Sequence, residues 1–331
     1  MGYITCPMEN ESLTANHAEA AFDAILDGRV PEDEVVEFLE ILRNRSESVD
    51  EIVGAARAMR RRMHTVNLEK SAIDVCGTGG SVGDRFNVST AAAFALAAMG
   101  VPVAKHGNRG SRIPNGSFDF LEALAIPIEL DAAAVTDVFR KTDLCFLFAR
   151  QFHPAVGAVA AARKRVGGRT IFNLVGPLCN PAQVSMQVLG TVSVDVGEKL
   201  ARAAQQLGTQ RTIVVVGDGG RDELVPDGPS TIFEVTPERL ITYSVDPREW
   251  ISTEFPELPV GSADENAAVF RQWLESPPSM PHLSHWIALN CAVALYLVGQ
   301  EDTFRDGYER AFELIQTPVV RLKVSQYREA A

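Results

Sequence analysis

Residues 74–90 read Asp-Val-Cys-Gly-Thr-Gly-Gly-Ser-Val-Gly-Asp-Arg-Phe-Asn-Val-Ser-Thr. A short apolar run (Ala72, Ile73, Val75) enters a loop that contains Gly77, Gly79, Gly80 and Gly83. Asn87, Ser89 and Thr90 follow, and then the Ala-rich segment 91–99. Strand, glycine loop and helix start in that order turn several backbone N–H groups toward one point at the positive end of a helix, which suits a phosphate. Glycine lets the backbone take positive φ and approach an anion closely. The loop lacks the Gly-Lys-Ser/Thr of a P-loop, and its spacing is not the dinucleotide fingerprint. On its own it reads either as a phosphate or pyrophosphate cradle or as a plain tight turn.

The pattern around this loop sets the fold class. Residues 12–65 are helical in period: Ala18, Ala21, Phe22 and Ile25 share a face, as do Val35, Val36, Phe38, Leu39 and Leu42. Pro31 stands at a helix start with Glu32, Asp33 and Glu34 in its first turn. Ser48 and Glu51 have capping-box spacing and open a helix running to about Met63. From 71 onward short apolar strands alternate with helices. Strands are predicted at 72–76, 101–104, 144–148, 188–192, 212–216, 232–235 and 240–243. Helices are predicted at 89–99, 117–124, 131–139, 154–165, 196–207, 263–273 and 283–298, and 275–281 reads as a loop. Such alternation predicts an α/β protein with a mostly parallel central sheet covered on both faces.

The chain has 331 residues, which suggests about two domains. Its net charge of −12 argues against a non-specific nucleic-acid binder, since phosphate backbones demand a basic surface. The 5 cysteines (Cys6, Cys76, Cys145, Cys179, Cys291) are scattered, with no CxxC, and read as free thiols in a reducing cytosol. The first residues lack a signal-peptide core, and no run of 18 apolar residues exists to span a membrane. A cytoplasmic location, with no membrane partner, is the expectation.

Three further clusters carry possible chemistry. Lys105, His106, Asn108, Arg109 and Arg112 crowd a glycine-containing loop after the strand 101–104, at the strand's carboxyl end, where α/β proteins place ligands. They suit phosphate, or they are a solvated loop. Arg163 follows His153-Pro154 on a helix otherwise lined by Ala158, Val159 and Ala162. On spacing alone a snorkelling surface arginine is the plainer reading and a carboxylate clamp the functional one. Asp222-Glu223 follows the apolar strand 213–216 and reads as ordinary turn charge, or as ligands for Mg²⁺.

Taken in order, these clusters resemble the anthranilate phosphoribosyltransferase family over about residues 10–325. The matching parts are Gly77-Thr-Gly-Gly80, Asn87-Val-Ser-Thr90, Lys105-His-Gly-Asn-Arg109, His153-Pro154, Arg169-Thr-Ile-Phe-Asn173, Gly176-Pro177, Asn180-Pro181 and Asp222-Glu223-Leu224. The resemblance implies a nucleoside-phosphorylase/phosphoribosyltransferase type fold. It has a small helical domain (1–70, completed by an inserted helical segment near 154–185) and a larger α/β domain (71–331), with a cleft between them. It implies a homodimer, and transfer of the phosphoribosyl group of phosphoribosyl pyrophosphate to the amine of anthranilate, with pyrophosphate released, in tryptophan biosynthesis.

The resemblance also implies roles. Gly77, Gly80, Ser81, Asn87, Val88, Ser89 and Thr90 would hold phosphoribosyl pyrophosphate from one side. Lys105, His106, Gly107, Asn108, Arg109 and Ser117 would hold it from the other. Gly77, Asn108 and Arg163 would bind anthranilate, with Arg163 on its carboxylate and His106 beside its amine or carboxylate. Ser89, Asp222 and Glu223 would serve Mg²⁺. No residue is assigned as acid or base; Lys105, His106 and Asn108 position.

This chain departs from the family pattern at Ser81, where the family has aspartate, and at Arg85, where it has serine or threonine. Asp84 stands nearby as a displaced acid. The loop after Arg109 reads Gly110-Ser-Arg-Ile-Pro-Asn-Gly-Ser117 and lacks the family's lysine and three of its serines. Arg85 and Arg112 are therefore expected to supply compensating phosphate contacts. A pyrimidine-nucleoside phosphorylase-like enzyme and a non-catalytic nucleic-acid-binding paralogue are the alternatives.

Overall fold

The computed structural model describes residues 11–79, 85–110, 114–251 and 261–331. Three helices come first: α1 (Ala15–Leu26), α2 (Glu32–Arg45) and α3 (Val49–Arg60). Thr14 caps α1 by accepting from His17 N, and Ser48 with Glu51 forms the capping box of α3. Glu51 is fully buried because it does more than cap: its carboxylate accepts from Leu13 N and Ser48 N and pairs with Arg45. At Gly54 of α3, a Cβ would stand 2.5 Å from the Ala15 carbonyl, so glycine is what lets α1 and α3 cross this closely.

The chain continues as β1 (Ile73–Gly77), α4 (Val88–Ala98), β2 (Val103–Gly107), α5 (Ser117–Ala123), α6 (Ala132–Thr142) and β3 (Leu144–Phe148). Next come α7 (Ala149–Phe152), a 3₁₀ turn over Pro154–Val159, α8 (Ala160–Val166), α9 (Ile171–Val175), β4 (Met186–Gly190), α10 (Val194–Gln206) and β5 (Arg211–Gly217). The last elements are β6 (Ser230–Val235), β7 (Leu240–Val245), α11 (Ala263–Glu275), α12 (Pro281–Leu297), α13 (Phe304–Ile315) and α14 (Val319–Ala330).

The seven strands form one sheet in the order β3-β2-β1-β4-β5-β6-β7. The pairs from β3 to β5 are parallel and β6 and β7 are antiparallel, so the sheet is mostly parallel, as its sequence predicts. Alternate residues feed opposite faces. Ile73, Val75, Val188, Ile213 and Val215 enter a core with α4, α12 and α14, whereas Cys76, Leu189, Val214 and Val216 enter one with α1, α2, α3 and α10. The second core also takes Val159, Ala162, Phe172 and Leu174, so the segment around α8 and α9 packs with the N-terminal helices. Arg43 of α2 reinforces this contact by donating to the carbonyls of Val166 and Gly167.

Two differences from the sequence reading have local causes. The helix predicted over 154–165 starts as 3₁₀ and becomes α-helical only at Ala160. Pro154 lacks an N–H and Gly157 is a poor helix former. Helices α13 and α14 go beyond the predicted elements. The buried set Phe304, Tyr308, Ala311 and Ile315 has helical spacing, and Thr303 caps Asp306 N. Among the described residues no helix is long and apolar enough to cross a membrane.

Candidate active site

The carboxyl ends of β1, β4 and β5 meet at one carboxylate. Gly77 pairs in register with Gly190, and Thr78 N donates to the Gly190 carbonyl (2.9 Å). The 218–224 turn lies directly on this pair. A Cβ at Gly190 would overlap the Asp222 carbonyl oxygen, and one at Gly77 would stand 2.7 Å from Asp222 Oδ2. Asp222 is thus fixed by steric fit, and Arg85 forms an ion pair with its Oδ1. Glu223 beside it is half-buried; desolvation first, and then the Asp222 charge, raises its pKa to about 8. Leu224 is held by Asn290 of α12, which accepts from Leu224 N and donates to Leu224 O, both at 3.1 Å. Among the described residues no group of three or more His, Cys, Asp or Glu side chains is placed to hold a metal ion.

The N-terminus of α4 lies next along β1. Asn87 is its cap position, Val88 is buried, and Ser89 and Thr90 occupy the first turn. Thr90 Oγ1 is buried without a hydrogen-bond partner. Below this turn three amides interlock. Asn266 of α11 donates to Asn87 Oδ1 (3.2 Å), Asn115 Oδ1 (3.1 Å) and the Arg85 carbonyl (2.5 Å). Asn115 donates to the same carbonyl (2.7 Å), and Asn87 donates to the Asn115 carbonyl (3.2 Å).

At the end of β2, Lys105 is buried and donates to the Val75 carbonyl (2.6 Å). Its counter-charge is Asp74 on the neighbouring strand. Asp74 is completely buried, accepts from His106 N (3.1 Å) and from Asn180 Nδ2 (2.8 Å), and is raised to about 6 mainly by burial, against the pull of Lys105. Burial lowers Lys105 and Asp74 counters this. The His106 ring lies 3.2 Å through Nδ1 from the Gly176 carbonyl and 5.0 Å, centroid to centroid, from His153. Burial depresses both imidazoles, His106 to about 3 and His153 to about 4, so both are neutral.

Ser117 packs onto Gly107, where a Cβ would collide with its hydroxyl, and donates to the Asn108 carbonyl (3.3 Å). The Asn108 side chain accepts from Arg109 N (2.8 Å). The Arg109 guanidinium is engaged by Glu122 and Asp119, and Asp119 also accepts from Gly110 N and Gly116 N. Arg109 therefore braces its own loop in this structure.

Arg163 on α8 stacks over Phe172 (5.3 Å to the ring centroid) and has no hydrogen-bond or ion-pair partner among the described residues. Burial lowers its pKa. Arg169 likewise carries a buried Nη2 with no partner. The expected site residues Gly80, Ser81 and Arg112 lie outside the described residues, as does Asp84. Asp74, Asn180 and Asn266 received no role from the sequence. An aspartate inside an apolar strand and the Asn180-Pro181 pair were signals for the first two; nothing local marks Asn266.

Comparison with known proteins extends this geometry. A family model described as glycosyl transferase family, helical bundle domain, matches residues 2–63, and one described as glycosyl transferase family, a/b domain, matches residues 69–318. Anthranilate phosphoribosyltransferase of Halalkalibacterium halodurans is 38% identical over 328 residues, covering 97% of this chain and 95% of the relative. The crystal structure of that enzyme from Thermus thermophilus superposes with a TM-score of 0.88 at 34% identity, over 97% of this chain and 96% of the other. The Saccharomyces cerevisiae enzyme in complex with PRPP and Mg gives 0.86 at 26% identity, over 96% and 93%. The start of α4 beside the end of β1, a buried lysine on β2, an arginine on α8 without an ion-pair partner among the described residues and full-length likeness to these enzymes lead to one assignment: the chain belongs to the anthranilate phosphoribosyltransferase family.

Proposed function

We propose that this protein joins the phosphoribosyl group of phosphoribosyl pyrophosphate to the amine of anthranilate, releasing pyrophosphate, as a homodimer in the cytoplasm. Residues 1–70 with 154–185 act as a helical domain and 71–331 as the α/β domain, with the reaction between them. The observation that carries the reading is Arg163, a half-buried cation with no anion of its own. An aromatic carboxylate supplies what it lacks, through two parallel N–H···O bonds. The Gly77 backbone and the Asn108 amide complete the anthranilate site.

The donors at the other end suit the second substrate. Gly77, Gly80, Ser81, Asn87, Val88, Ser89 and Thr90 cradle phosphate at the start of α4, with Arg85 and Arg112 adding guanidinium contacts. Lys105, His106 and Gly107 of β2, Asn108 and Arg109 of the loop after it and Ser117 at the start of α5 would hold it from the other side. Asp222 and Glu223 are adjacent, half-buried oxygen donors on one turn at the strand ends, which suits a hard divalent cation. With Ser89 they would hold Mg²⁺, which neutralises pyrophosphate charge when bound.

In the transfer, the bond from ribose C1 to pyrophosphate breaks with its electron pair on the leaving oxygen, and the anthranilate nitrogen bonds to C1. The residues here supply charge and placement instead of a strong base. Lys105 is a cation fixed by Asp74 and the Val75 carbonyl, so it meets leaving-group charge without reorganising. His106 with its Nδ1–H on the Gly176 carbonyl presents a neutral Nε2 acceptor, which fits an amine N–H better than a carboxylate.

The test is fluorescence-monitored anthranilate consumption with phosphoribosyl pyrophosphate and Mg²⁺. Arg163→Ala should raise KM for anthranilate on the order of 10- to 100-fold, the worth of a lost hydrogen bond to a charged group. No consumption by the folded wild type overturns the reading.

A further inference from the structure

Asp222 is packed closely against two strand ends. Its backbone oxygen lies where a Cβ of Gly190 would be, and its carboxylate lies against Gly77. Its side chain is only 12% exposed, and the Arg85 guanidinium forms an ion pair with it. Arg85 is anchored differently. Its carbonyl accepts from Asn115 and Asn266, which holds the backbone, while the long side chain is 29% exposed and can swing. A monovalent cation on a tether therefore occupies an oxygen of a closely packed carboxylate, next to a second, half-buried carboxyl.

We infer that Arg85 is a built-in occupant of Asp222 that a divalent cation must displace, so that cation entry and release of the Arg85 guanidinium are one exchange. The inference rests on the proposed reading of Asp222 and Glu223 as cation ligands. Two cations cannot share one carboxylate oxygen without repulsion of several RT at contact distance. The exchange makes the substrate-free protein a weak cation binder. It also frees a guanidinium close to the start of α4, where an incoming phosphate gives it a new partner. Arg85 thus ties cation occupancy to phosphate occupancy, and no change in the fold is needed.

The probe is Mn²⁺ alone, titrated into the substrate-free full chain and followed by the paramagnetic resonance signal of the free ion. Arg85→Ser should bind Mn²⁺ at least about tenfold tighter than wild type, because the competing charge is gone. Arg85→Gln keeps the length and hydrogen bonding of the side chain without the charge, and should tighten binding as well. It serves if the serine variant folds poorly. Asp222→Asn reports on the ligands themselves. Equal Mn²⁺ affinity in wild type and both Arg85 variants, with binding lost in Asp222→Asn, overturns the exchange and leaves the ligand reading standing. Binding retained in Asp222→Asn overturns both.

Discussion

Burying an ammonium and a carboxylate on neighbouring strands costs desolvation of both, and each keeps the other charged. Asp74 opposes the fall in the Lys105 pKa that burial causes. A lysine is cationic below its pKa, so an activity that needs Lys105 charged is lost as pH rises through that value. Removing Asp74 moves the value down. The alkaline limb of the kcat/KM profile should therefore shift to lower pH in Asp74→Asn, and an unchanged limb would refute the pairing. The residues of this pair differed in legibility. Lys105 stood out because it opens a donor-rich stretch, although it lies on β2 and not in the loop the sequence suggested. Asp74 received no role, since what it does depends on Lys105 and Asn180, which are 31 and 106 positions away. Arg85 was readable as an unusual cation, but its ion pair with Asp222 needs the 218–224 turn folded over β4.

Strands β1 and β4 end in facing glycines, and Asp222 covers both, Gly190 with its backbone and Gly77 with its carboxylate. Gly190→Ala should lift the 218–224 turn, lowering stability by about 1–3 kcal/mol in chemical denaturation, as other small-to-large changes in tight places do. It should also weaken Mn²⁺ binding in proportion, because Asp222 moves with the turn. Unaltered stability would show that the contact is slack. Element type was legible along most of the chain: six strands overlap the predicted apolar runs closely, whereas β2 starts later than predicted and takes in Lys105, His106 and Gly107, which the sequence placed in a loop, and Ser48 with Glu51 forms the cap that their spacing announces. Direction was not, since antiparallel β6 and β7 follow from a short 236–239 connection with no crossover helix. The 3₁₀ stretch at Pro154–Val159 reflects local chemistry that a periodicity search averages away.

For the molecule as a whole, strand–helix alternation dictated a sheet covered on both faces, and two cores on either side of it are the result. The proposed homodimer predicts a sedimentation-equilibrium mass of twice the 35.9 kDa chain, and a single-chain mass at micromolar concentration would refute it. What no segment of sequence could disclose is how distant loops are set against each other. Asn266 does this with one side chain: it fastens positions 85, 87 and 115 from a helix that starts at Ala263. The two loops that meet there share one anchor. Lengthening either one, or grafting its counterpart from a relative, leaves Asn266 answering to a mismatched partner. In this chain they can be inherited or redesigned only as a matched set.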